Sequence, residues 1–146
     1  MVLDAIGEHW GGEEACLVAL VNGWEHMLAE PPLARYEAES FALGRAAPFA
    51  GVVRLSGEAP GKDITGAARL WALVDAAAHL SDADERAMLR EMAGTSALAE
   101  RSLPPDMRGL AVLSGLARRA LHRGDHTLMA GRAGALVALR LGIFGR

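Results

Sequence analysis

A chain of 146 residues, about half of them hydrophobic, is long enough to bury a core and sized for one domain, and its shortage of β-branched and aromatic residues beside alanine, leucine, arginine and glutamate predicts an all-α bundle of five to seven helices. The net charge of −3 conceals an asymmetry: residues 1–100 hold 7 Lys/Arg against 16 Asp/Glu, whereas residues 101–146 hold 8 arginines against 2 acids, without the interleaved aromatics that would point to nucleic acid. The single Cys16 excludes an internal disulfide framework, and the lack of a secretory signal pattern or a charge-free apolar run of about 18 residues predicts a cytoplasmic protein without a transmembrane segment.

Residues 1–12 open with a short helical pattern, Val2, Leu3 and Ile6, closed by a turn at Gly11-Gly12. From Glu13, the apolar positions Leu17, Leu20/Val21, Trp24 and Met27/Leu28 recur at helical spacing until Pro31-Pro32, with Cys16 as a small buried hydrophobe and His26 as a solvated side chain. A longer helix runs from Leu33 to Leu55, kinked at Pro48, and its small residues Gly44, Ala46, Ala47, Ala50 and Gly51 allow close approach by another helix or a ligand. Ser56–Gly66 reads as a loop, with Lys62 a solvated loop residue and no phosphate-cradling glycine spacing.

The next helix, Ala67–Leu80, carries Trp71, Asp75 and His79 at i, i+4 and i+8, so a tryptophan, a carboxylate and an imidazole project from one face. That face is a candidate ligand site or, equally, an ordinary intrahelical Asp–His pair. Ser81 reads as an N-cap for a short helix from Asp82 to Met92, closed by Gly94, with Asp82, Asp84 and Glu85 suited to a helix start. Ser102-Leu103-Pro104-Pro105-Asp106 is a helix start, followed by the stripe Met107, Leu110, Leu113, Ala117 and Leu121. Arg118, Arg119, His122 and Arg123 crowd that helix's C-terminal end before Gly124. The macrodipole accounts for cations there, and a phosphate contact through Arg118, Arg119 and Arg123 is the functional alternative. Residues 127–146 carry Leu136, Val137, Leu139, Leu141, Ile143 and Phe144 among arginines, and read as a last core helix in preference to a membrane-surface helix. Trp24, Leu73 and Leu113 are the expected core.

In this order the segments LVNGWEHMLAE (Leu20–Glu30), YEAESFALGRAAPFAGVVRLSG (Tyr36–Gly57), LWALVDAAAHLSDADER (Leu70–Arg86), SLPPDMRGLAVLSGLARRALHRG and RAGALVALRLGIFGR resemble the later helices of the squalene/phytoene synthase family. The resemblance implies an isoprenoid-synthase-like bundle around a cavity. In active members, paired Asp-x-x-x-Asp motifs hold magnesium, which binds isoprenoid diphosphates, because a hard dication bridging to phosphate needs a face of oxygen ligands. No Asp-x-x-x-Asp occurs in this sequence. The corresponding region offers Asp75-x-x-x-His79, then Asp82 and Asp84, and imidazole is a poor ligand for magnesium. The helices that carry the family's first motif have no counterpart here. The sequence therefore predicts a shortened, non-catalytic relative, a helical interaction or assembly module without a cofactor, cytoplasmic and either free or peripheral to a membrane. It would form a homodimer or bind a protein supplying the missing helices, which would cover small-residue surfaces around Gly44–Gly51 and Ala76–Ala78. The alternative is a prenyltransferase acting on an isoprenoid diphosphate, with magnesium held by Asp75, Asp82 and Asp84.

Overall fold

A computed structural model describes residues 14–27, 32–55, 61–99, 103, 107–125, 128–129, 134–137 and 139–140, and among these there is no strand. Five helices are delimited: α1 (Glu14–Met27), α2 (Arg35–Leu55), α3 (Lys62–His79), α4 (Ala83–Ala99) and α5 (Arg108–Arg123), and residues 134–137 and 139–140 are helical as well. The protein is all-α. The expectations for residues 1–13, the His26 side chain, residues 56–60, Ser102, Pro104–Asp106, Leu141, Ile143 and Phe144 lie outside the described residues.

α3 is the central element. It packs against α2, α4 and α5, while α1 packs on α2. Its sequence explains this position: Ala67, Ala68, Leu70, Ala72, Leu73, Val74, Ala76 and Ala77 are all buried, and the run of alanines lets neighbours approach from several sides. Leu70 and Leu73 meet Phe41 and Ala42 of α2, Leu89 and Met92 of α4, and Leu116 and Ala117 of α5 in the main core. A second cluster joins Ala46 and Val53 of α2 to Ile64 and Ala67 of α3 and to Met107 and Leu110. Truncating a leucine as buried as Leu73 costs about 2–5 kcal/mol. Cys16 is buried.

α1 and α2 come close because two glycines mesh. A Cβ on Gly23 would sit 3.1 Å from the Phe41 Cα, and one on Gly44 would collide with the Ala19 carbonyl oxygen. α2 starts with half a capping box: the Ala34 N–H donates to the Glu37 carboxylate at 2.7 Å, although no Ser or Thr stands at the cap. The helix continues through Pro48, which supplies no N–H to the Gly44 carbonyl one turn earlier.

Several helix ends differ from the sequence expectation. Lys62–Gly66 is the first part of α3 rather than loop; Gly61 is extended, Asp63 suits the helix start, and burial of Ile64 anchors the turn. α4 runs through Gly94 to Ala99, since Met92, Ala93 and Ser96 are buried on both sides of that glycine and offset its weak helix propensity. Its cap is Asp82, not Ser81: the Asp82 Oδ1 accepts the N–H groups of Asp84 and Glu85, each at 2.9 Å. Glu85 in turn accepts the Leu33 N–H at 2.7 Å and ties the α1–α2 connection to α4. α5 ends as expected at Gly124, whose φ of 65° is left-handed; the Gly124 and Asp125 N–H groups reach back to Leu121 and Ala120 in a Schellman arrangement.

The expected core is corrected in part. Leu73 is fully buried and Leu113 half-buried, but Trp24 is 45% exposed, its ring meeting that of Phe41 in a T-shaped contact at the margin of the core. The small-residue surfaces are covered within the chain: Gly44, Ala46, Gly51, Ala76 and Ala77 are buried. The last segment is not a core helix throughout. Val137 packs on the main core, yet Leu136 and Leu139 are 68% and 60% exposed.

Candidate functional site

The face formed by Trp71, Asp75 and His79 on α3 meets a second stripe with the same spacing, Phe41, Arg45 and Phe49 on α2. Arg45 fills the space between them. Its Nη1 donates to the Asp75 Oδ2 at 2.7 Å, and its Cζ lies 4.0 Å from the Trp71 ring centre, 5.4 Å from Trp24 and 5.6 Å from Phe41. Phe49 abuts Trp71 edge-on at 5.9 Å. A guanidinium is planar, weakly hydrated and always charged, so it can stack on rings and bridge to a carboxylate at once. With the Arg45 and Asp75 side chains only 14% and 22% exposed, this is a partly buried ion pair sheathed by aromatic rings. A second arginine–carboxylate pair, Arg69 with Glu39, also joins α3 to α2.

His79 adds little to this cluster. Its Nε2 is 3.9 Å from the Asp75 Oδ1 and its side chain is 69% exposed. Asp82 and Asp84 are exposed at the start of α4, Asp82 with its Oδ1 engaged in capping. Among the described residues no group of three or more His, Cys, Asp or Glu side chains can hold a metal ion. The described residues assemble no face of oxygen ligands for magnesium: Asp75 faces a guanidinium, Asp82 a helix N-terminus. Sequence reasoning found Trp71 and Asp75 but missed Arg45. The signal was available in the parallel four-residue spacing of Phe41, Arg45 and Phe49, but joining it to Asp75 requires knowing that α2 and α3 are neighbours.

The other candidate lies at the far end of α5. Arg118, Arg119, His122 and Arg123, together with Arg140, line a surface concavity of about 510 Å³. Residues 118/122 and 119/123 are four apart and 119/122 three apart, so α5 presents them as one patch. The Schellman end at Gly124 leaves the C-terminal carbonyls nearby, where cations are favoured. Among the described residues lining the concavity there is no carboxylate. Such a site can take an anion bearing several oxygens, since guanidinium forks match phosphate and carboxylate geometry. The predicted phosphate contacts Arg118, Arg119 and Arg123 are thus brought together, with Arg140 as the member that sequence reasoning missed.

Comparison with protein-family models, with curated protein sequences and with solved structures finds no match to this chain. No described helix is long and apolar enough to cross a membrane.

Proposed function

We propose that this protein is a non-catalytic helical interaction module that self-associates, cytoplasmic in setting, with a likeness to the later helices of squalene/phytoene synthases that rests on the sequence segments given above. The reading is supported chiefly by the outer surface of the α1–α2 hairpin, where Val18, Val21, Tyr36 and Leu43 stay exposed although the small-residue surfaces of α2 and α3 are covered. Val18 and Val21 are three apart on α1, and Tyr36 and Leu43 two turns apart on α2, so each helix turns an apolar row outward. A two-fold axis lets such a row cover its own copy. Light scattering at micromolar concentration is expected to give twice the 15.4 kDa chain mass, and Val18→Ser with Val21→Ser to return the monomer. A wild-type monomer that binds no exposed-surface dye such as ANS would refute this reading.

A second reading, prenyl transfer from an isoprenoid diphosphate, draws on the arginine-lined concavity as a diphosphate site. Against it stand the engagement of Asp75 by Arg45 and the capping role of Asp82, which leave magnesium without an assembled ligand set among the described residues. Magnesium-dependent squalene or phytoene formation by the purified protein, abolished by Asp75→Asn, would establish it instead.

A further inference from the structure

The concavity at the end of α5 does not stand alone. Arg140, which lines it, lies four residues after Leu136 and next to Leu139, and both leucines are more than half exposed. Leu136, Leu139 and Arg140 are all exposed. The opposite side of this segment is fixed to the protein. Gly134 is buried, with no room for a Cβ against the Leu128 carbonyl; Leu128 belongs to the main core, and Met129 and Val137 pack against it. The outward direction of the two leucines is therefore set by packing. From this juxtaposition of two outward leucines with a four-arginine patch, we propose that this end of the molecule docks on an anionic lipid surface.

The chemistry of the patch selects that occupant. A free phosphate or diphosphate would use the arginines and leave Leu136 and Leu139 in water. A leaflet containing anionic lipid presents phosphate charge and hydrocarbon within a few ångströms of one another, matching guanidiniums beside leucines. Each basic side chain near such a surface strengthens binding about fivefold. Arg118, Arg123 and Arg140 are exposed and Arg119 is half-buried, so the patch stands at the surface. The charge balance of the sequence is consistent with this, since residues 1–100 hold 16 acids against 7 bases while residues 101–146 hold 8 arginines against 2 acids.

The test is co-sedimentation of the full chain with phosphatidylcholine vesicles, with and without phosphatidylglycerol. Partition onto the phosphatidylglycerol vesicles is expected at low salt, weakened by salt and at least tenfold lower on phosphatidylcholine alone, as electrostatic docking requires. Arg118→Glu with Arg123→Glu is expected to abolish it, and Leu136→Asn with Leu139→Asn to weaken it about tenfold or more. All four side chains are exposed, and an unchanged circular dichroism spectrum certifies that each variant is folded. Failure to bind either vesicle, equal binding to both, or indifference to the leucine substitutions overturns the proposal. Calorimetric binding of inorganic diphosphate without vesicle binding would reassign the patch to a free anion and overturns it too.

Discussion

Two groups of arginine stand in opposite circumstances in this molecule. Arg45 is enclosed by Trp24, Phe41 and Trp71 and faces the carboxylate of Asp75, so its charge is answered within the fold. Arg118, Arg119, Arg123 and Arg140 are gathered round a concavity whose described lining holds no acid. The first arrangement has the form of a structural joint between α2 and α3, because burying a charge is tolerable only with a partner. The second gathers like charges at the surface beside a helix C-terminus, where cations suit the macrodipole.

Four substitutions test this contrast, in decreasing order of effect. Arg45→Ala leaves Asp75 partly buried without its cation and opens a gap between three rings; a stability loss of about 3 kcal/mol is expected in urea denaturation. A loss under about 1 kcal/mol would break the comparison by making Arg45 as dispensable as a surface arginine. Asp75→Asn keeps the shape and removes the charge, and is expected to cost about 1–2 kcal/mol by the same measurement, because hydrogen bonds to charged groups exceed neutral ones by that order. Arg123→Ala is expected to change the unfolding midpoint by the equivalent of about 0.5 kcal/mol or less, the size of a cation's interaction with a helix end, although the same change weakens vesicle binding. His79→Ala is expected to have no measurable effect on stability. Its ring is mostly exposed and 3.9 Å from Asp75, and a destabilisation above about 1 kcal/mol would show that the histidine belongs to the joint after all.

What the sequence disclosed and what it withheld divide along the distance between partners. The Gly124 stop, the arginine crowd before it and the apolar face of Leu110, Ala117 and Leu121 are all visible within one or two turns of chain, and the structure has them where they were expected. Asp75 stands out in the sequence for its neighbours four residues away, yet its main partner, Arg45, lies 30 residues earlier, beyond the reach of local spacing. The errors at helix ends have a related cause. Gly66 and Gly94 looked like breaks on local propensity, but buried neighbours such as Ile64, Ala93 and Ser96 hold those turns helical from across the core. Periodicity turns Trp24 and Leu136 inward, yet both are exposed, because periodicity identifies an apolar row without saying whether another element covers it.

The glycine pair between α1 and α2 governs more than the local fit. Because Gly44 accepts the Ala19 carbonyl where any side chain would stand, α1 rests on α2 in one rotational setting, like a key cut on a single edge. Turning α1 by one residue, about 100°, would swing Val18 and Val21 away from their present outward heading and bring other side chains in their place. The direction in which the hairpin offers its valines is therefore encoded 23 or more positions further along the chain, in a residue that never touches whatever those valines meet. Enlarging Gly44 would re-aim that surface before it changed a single atom exposed on it.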